Sequence, residues 1–419
     1  MKSNQATIPS VAIVDYGNYV FLRDTATDLI NDGYPLHYIF STDVPSPNYR
    51  SDNNSVGLIN VSAGGPIQKD SIATRALQER RWGQLCAAAL DEINPDSIVV
   101  ANTPLLSQAV LRSWALSRGR RYSVWSQDLH GLAVTHVLGQ KLGVIGRLLA
   151  VPFRRLDRTI LMGAERVISI SDSQHGYLTN AGVATGRILT MPNWASLDAY
   201  PVRPKNNPWS ERQGLQHTFN FLYSGSLGFK HNLKPIMELA SAFKDNPSIR
   251  VVIVSEGAAV NRLKIFAADN ALTNICILPF QSHNEMPDVL ATGDVLLSML
   301  SEDASPYCVP SKILTYCCAR RPQLAAIHSD NDSARLITSI GAGLVCSPSY
   351  LTDYVNAARL LRSDPILCER LALAARTYAE ATFTPANTKQ NMLLACGWRR
   401  SNTLESEGIR ASAVNECSR

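Results

Sequence analysis

The sequence predicts two successive α/β domains, each a parallel sheet wrapped by helices. Three observations lead there. Short apolar strand-like runs alternate with stretches of helical periodicity along most of the chain. A proline-rich irregular stretch carrying Pro201, Pro204 and Pro208 interrupts that alternation near its middle. The length, 419 residues, suits two α/β domains better than one.

The first cycle opens with an apolar strand from Ser10 to Val14, followed by the turn-rich Asp15-Tyr16-Gly17-Asn18. Tyr19 to Asn31 places Val20, Leu22, Ala26, Leu29 and Ile30 at helical spacing, and Gly33 stops it. Tyr38 to Phe40, Leu58 to Val61 and Ser97 to Ala101 read as strands, and Asp70 to Ile93 as a long helix.

Beyond the proline-rich stretch the alternation resumes. Strands are predicted at Phe219 to Tyr223, Val251 to Ser255, Ile275 to Leu278, Val295 to Leu300 and Gln323 to Ile327. Helices are predicted at Leu233 to Phe243, Ala258 to Ala268 and Lys312 to Ala319. Two such wound units form Rossmann-like domains, expected to face each other across a cleft. Residues 1–200 make the first and 201–383 the second. Ile366 to Phe383 is an amphipathic helix, a last helix near Asn387 to Trp398 packs back on the first domain, and 399–419 is a polar tail without periodicity, expected to be disordered.

Composition narrows the function classes. A hydrophobic content of 45% supplies two cores, and a net charge of +5 is too small to argue for nucleic acid. No run is long and apolar enough for a membrane span, and the first ten residues lack a secretory core. Nine cysteines stand singly apart from Cys317-Cys318, with no metal-ligand spacing, which points to a reduced, cytoplasmic setting.

Five segments are candidates to carry chemistry. Tyr223-Ser224-Gly225-Ser226-Leu227-Gly228-Phe229-Lys230-His231-Asn232 follows a strand and opens a helix. Small residues that let backbone amides approach a ligand closely, a helix N-terminus and Lys230 suit a diphosphate, although an ordinary strand–helix turn has the same outline. Glu256, at the end of the next strand, faces a ligand crevice or caps the following helix. In Ser305-Pro306-Tyr307-Cys308-Val309-Pro310-Ser311-Lys312-Ile313-Leu314-Thr315-Tyr316, Pro310 and Ser311 look like a helix start. Lys312 then sits in the first turn, where a cation is unfavourable unless an anion offsets it; the alternative is a tolerated surface lysine. Asp128 and His130 lie at a strand end in the first domain, as cleft groups or as structural hydrogen-bonders. Leu138 to Arg166 mixes six basic residues with many aliphatics, fitting either an anionic lipid surface or a helix pair with a basic face; Pro152 prevents one continuous helix.

Taken in order, Tyr223 to Asn232, Val309 to Tyr316 and Met191-Pro192-Asn193-Trp194 resemble glycosyltransferase family 4, which has the GT-B fold. The likeness runs to about Trp398 and is closest to bacterial enzymes of O-antigen, capsule and colanic acid assembly. The resemblance implies a retaining, metal-independent transfer from a nucleoside diphosphate sugar, UDP- or GDP-linked, to a glycan or lipid-linked acceptor. It implies no other cofactor and no metal; the basic stretch from Leu138 to Arg166 points to a peripheral place at the inner membrane face. It places the donor on Gly225, Ser226, Leu227, Gly228, Lys230, Glu256, Phe280, Pro310, Ser311, Lys312 and Thr315. It places the acceptor near Asp15, Gly17, Asn18 and His130, with Lys230 and Asp128 as the catalytic candidates.

The chain departs from the family twice. Ser226 stands where an arginine is frequent. The paired glutamates fall near Tyr307 and Thr315, and Glu302 and Asp303 are at another spacing. Three rivals follow. An epimerase of the same fold needs an acid/base pair, and none is evident. A dinucleotide oxidoreductase needs Gly-x-Gly-x-x-Gly, but the loop after Val14 is Asp15-Tyr16-Gly17-Asn18. The third is a binding partner without transferase activity.

Overall fold

The computed structural model describes residues 8–43, 56–67, 72–228, 230–304 and 308–398. Phe229, Tyr307 and the expected tail at 399–419 lie outside the described residues. The chain separates into two compact units, one running to Asn193 and rejoined by the segment from Pro385, the other from Trp194 to Thr384.

The strands of the first unit are β1 (Val11–Asp15), β2 (Leu36–Phe40), β3 (Leu58–Asn60), β4 (Ser97–Ala101), β5 (Arg121–Ser126), β6 (Val167–Ser169) and β7 (Ile188–Thr190). They pair in parallel in the order β3-β2-β1-β4-β5-β6-β7. All five β1 residues are buried, as a strand covered on both faces must be. The helices are α1 (Val20–Asn31), α2 (Ile72–Ile93), α3 (Leu105–Ser117), α4 (His130–Leu149), α5 (Val151–Gly163) and α6 (His175–Asn180).

In the second unit α7 (Pro208–Arg212) precedes β8 (Phe219–Ser224), α8 (Lys234–Ala242), β9 (Ile249–Val254), α9 (Ala258–Asp269) and β10 (Ile275–Leu278). Then follow α10 (Met286–Thr292), β11 (Val295–Met299), α11 (Lys312–Cys318), β12 (Gln323–Ala326), α12 (Asp332–Ser339), β13 (Gly343–Cys346), α13 (Leu351–Ser363) and α14 (Pro365–Thr382). The sheet order β10-β9-β8-β11-β12-β13 is all parallel. Winding reverses at β1/β4 in one unit and at β8/β11 in the other. Ligands bind outside the carboxyl ends of strands at such reversals.

A last helix, α15 (Pro385–Ala395), packs on α1 of the first unit. Lys389 reaches Asp32 at 2.7 Å, and the Trp398 indole donates to the Pro9 carbonyl at 2.8 Å while stacking on Tyr34. Between Leu138 and Arg166 the chain forms the α4–α5 pair. Pro152 occupies the first turn of α5, where its missing N–H costs nothing, and α4 itself breaks at Gly143. Asp157 is buried beneath this pair, accepting the Gly131 amide at 3.1 Å and the Tyr177 hydroxyl at 2.7 Å.

The proline-rich stretch is not a slack linker. Asn207 is buried and caps α7 by accepting the Ser210 amide at 2.9 Å. Its Nδ2 donates to the Pro204 carbonyl at 3.0 Å and to the Asp288 carbonyl at 3.1 Å. Asn207→Ala removes the cap and leaves buried carbonyls unpaired, so it should destabilise the second unit by about 2–3 kcal/mol. Urea unfolding checks this; an unchanged midpoint would show that these bonds are replaced by water at no cost.

Candidate functional site

The switch point of the second unit assembles the first and third chemical segments. After β8, Gly225 takes φ +130, a conformation that side-chain-bearing residues rarely adopt. Lys312 opens α11 and turns back beneath this residue. A Cβ at position 225 would lie 3.1 Å from the Lys312 Nζ, so glycine here also makes room for the ammonium.

The Lys312 stem is partly exposed, but its ammonium is buried and has no hydrogen-bond partner among the described residues. It rests over the Tyr223 ring, 3.5 Å from the centroid. The Tyr223 hydroxyl donates to the Ser226 carbonyl at 2.8 Å, and the His231 ring stands edge-on to Tyr223. Burial pushes the Lys312 ammonium well below the ordinary lysine range, and the charge of Lys230 pushes it the same way. A cation–π contact recovers only part of what an ammonium loses on leaving water. The arrangement is therefore poised for an anion.

His231 is held neutral. Burial, then the charges of Lys312 and Lys230, lower it to about 3, against the hydrogen bond to Gly228. Its Nδ1 accepts the Gly228 amide at 2.9 Å, which leaves the ring proton on Nε2. The loop after β11 closes on the same turn, the Ser301 amide donating to the Lys230 carbonyl at 2.9 Å.

The expected amide cradle is partly committed elsewhere. The Gly225 amide donates to the Val254 carbonyl at 3.1 Å and the Gly228 amide to His231. Leu227 turns its side chain into the core. Ser226 and Lys230 are exposed. Glu256 does not cap the next helix: Gly257 occupies the cap position, and the Glu256 Oε1 accepts the Phe280 amide at 3.0 Å, with the Phe280 ring half exposed. Ser311 is exposed and makes no cap bond, and Pro310 is partly buried. Thr315 donates its hydroxyl to the Lys312 carbonyl at 2.8 Å, as threonines inside helices do, leaving only acceptor capacity. The signal the sequence concealed is the Tyr223 ring under Lys312, since a buried tyrosine at a strand end reads as core.

In the first unit the loop after β1 encloses its own carboxylate. Asp15 is fully buried, accepting the Tyr38 hydroxyl at 2.6 Å and the Tyr19 amide at 2.8 Å. Asn18 is buried with φ +47, and a side chain at Gly17 would run into the Asn102 amide. At the end of β5, Asp128 is exposed and His130 half-buried. Neighbouring Gln127 is buried and exchanges two amide hydrogen bonds with Asn193, at 3.0 and 2.7 Å. That pairing gives the Met191 to Trp194 motif a structural purpose. Among the described residues, no group of three or more His, Cys, Asp or Glu side chains is placed to hold a metal ion.

Both units thus have the parallel, switch-point architecture of the GT-B glycosyltransferases. No family model matches the chain. It is 25% identical over 328 residues, covering 76% of this chain and 75% of the relative, to the protein named as the colanic acid biosynthesis glycosyl transferase WcaI of Escherichia coli. HepE of Anabaena, solved with UDP-glucose, superposes with a TM-score of 0.69 at 13% identity, over 95% of this chain and 100% of that one. WaaG, a glycosyltransferase of lipopolysaccharide biosynthesis, superposes with a TM-score of 0.66 at 15% identity, over 92% and 100%. The chain is a relative of glycosyltransferases and has the GT-B fold.

Burial raises the Asp15 carboxyl to about 6, against the hydrogen bonds from Tyr38, Tyr19, Gly17 and Asn102 that lower it. Its folded pKa thus lies above the unfolded one. The stability this adds is complete below about pH 4 and is lost as pH rises through about 6, a span of about 3 kcal/mol. Asp15→Asn should flatten that dependence, so the variant gains on the parent between about pH 4.5 and pH 7.5. Equal differences in unfolding midpoint at the two pH values would show that Asp15 does not titrate there.

Proposed function

We propose that the protein transfers a sugar from a nucleoside diphosphate sugar, linked to UDP or GDP, to a hydroxyl of a glycan or lipid-linked acceptor in surface-glycan assembly. The observation that carries this is the buried ammonium of Lys312 at the β8/β11 switch point, which has no hydrogen-bond partner among the described residues. A diphosphate supplies the missing charge. The likeness to WcaI and to the UDP-glucose complex of HepE favours the same donor class.

In this reading the second unit takes the donor and the first the acceptor. The anomeric carbon–oxygen bond to the diphosphate breaks, and the acceptor oxygen bonds to the same face of that carbon, retaining its configuration. The acceptor's proton passes to the departing diphosphate, with Asp128 as the alternative proton acceptor. Lys312 and Lys230 stabilise the charge that develops on the leaving group, a task that needs no metal. Gly225 and Ser226 border the phosphates, and Pro310, Ser311 and the Thr315 oxygen lie on the nucleoside side with Glu256 and Phe280. Asp15, Gly17 and Asn18 shape the loop on the acceptor side with His130. The protein works at the cytoplasmic face of the membrane, peripherally.

Assays with UDP-, GDP- and dTDP-sugars, following both transfer and donor hydrolysis, test the reading. Lys230 is exposed, so Lys230→Ala should keep the fold and lower transfer by about a hundredfold or more. Transfer near the parent rate would remove Lys230 from the phosphate site. Nucleotide binding without turnover of any donor would instead favour a binding protein.

A further inference from the structure

We infer that the corner joining α4 to α5 is a wedge that inserts into an anionic lipid surface. The backbone builds this corner deliberately. Gly143 takes φ +59 and breaks α4, and the following residues fold back onto its preceding turn. Any side chain at Gly146 would run into the Leu138 carbonyl. The Arg147 stem lies across Gly139, 3.4 Å from where a Cβ would sit. The fold-back buries Gly146 and Ala150 but turns the large aliphatics outward. Leu142, Val144, Ile145, Leu148 and Leu149 are between 50 and 72% exposed. Five large aliphatics within eight residues exceed the scattered exposure of an ordinary surface.

Charge selects the occupant. Arg147, Arg154, Arg155 and Arg158 are exposed on the same two helices. Between Leu129 and Ala164 the sequence holds one acid, Asp157, and it is buried against the Gly131 amide and the Tyr177 hydroxyl. A second copy of this corner would bring like charges together, which disfavours self-pairing. No described helix is long and apolar enough to cross a membrane. An apolar tip rimmed by guanidinium groups fits the boundary of an anionic bilayer, with aliphatics among acyl chains and arginines on phosphates. The inference deepens the proposed lipid-linked acceptor, since it holds the first unit against the surface that would carry it.

The test is co-sedimentation of the full chain with vesicles of phosphatidylcholine alone and of phosphatidylcholine mixed with phosphatidylglycerol. The parent should bind the anionic vesicles, more weakly as salt is raised. Ile145→Asn with Leu148→Asn should weaken binding on the order of a hundredfold, and Arg155→Gln with Arg158→Gln on the order of tenfold. All four positions are exposed, so both variants should melt like the parent. Failure of the parent to bind anionic vesicles overturns the inference. So does parent-like binding by the aliphatic variant, or a dimer that this variant dissolves without changing vesicle binding. A thermal shift with UDP or GDP on the same samples reports separately on the donor site. Its absence with vesicle binding intact counts against the transferase reading alone.

Discussion

A buried cation with no hydrogen-bond partner among the described residues sits at the switch point of the second unit. The Lys312 ammonium lies on the Tyr223 ring and close beneath Gly225. Gly225 is required because a Cβ would crowd the ammonium, and also because its backbone is left-handed. Tyr223 offers its ring face and fixes the turn through the Ser226 carbonyl. His231 is neutral because it is buried, and the charges of Lys312 and Lys230 add to that effect. A protein core rarely keeps a lone charge, because the desolvation cost is several kcal/mol even after relaxation. Its place at a strand switch point is what motivates the proposed role, in which a ligand brings the counter-charge.

The first unit solves the opposite problem. There a carboxylate, Asp15, is buried at the corresponding strand end and is supplied with donors from Tyr38 and Tyr19. The loop after β1 is thereby closed and shaped by its own chemistry, with Gly17 admitting Asn102 at close range. At the end of β5, the Gln127–Asn193 amide pair ties that strand to the chain's exit from the unit.

Much of this was legible in the sequence, for physical reasons. Strands buried on both faces, such as β1, β9 and β11, are continuous apolar runs and stand out. Three-residue strands such as β6 and β7 are too short to show a period. The cation at Lys312 was visible as a clash with the helix dipole, but its burial was not, because that depends on Tyr223, which is far away in sequence. The amides of Gly225 and Gly228 looked free for a ligand; their partners, Val254 and His231, emerge only from the folded turn. The basic residues around Pro152 are legible as a charged stretch, and Arg147, Arg154, Arg155 and Arg158 are exposed on the α4–α5 pair. The exposed aliphatic tip depends on the Gly143 break, which no periodicity announces.

The most direct test of the account replaces the cation by a neutral chain of similar length. Thermal unfolding of the parent and of Lys312→Met is followed with and without UDP or GDP. The account predicts that the variant melts higher than the parent without nucleotide, because a buried unpaired charge is gone, and that nucleotide raises the melting temperature of the parent alone. A variant that melts lower without nucleotide, or that is stabilised by nucleotide as much as the parent, would contradict it.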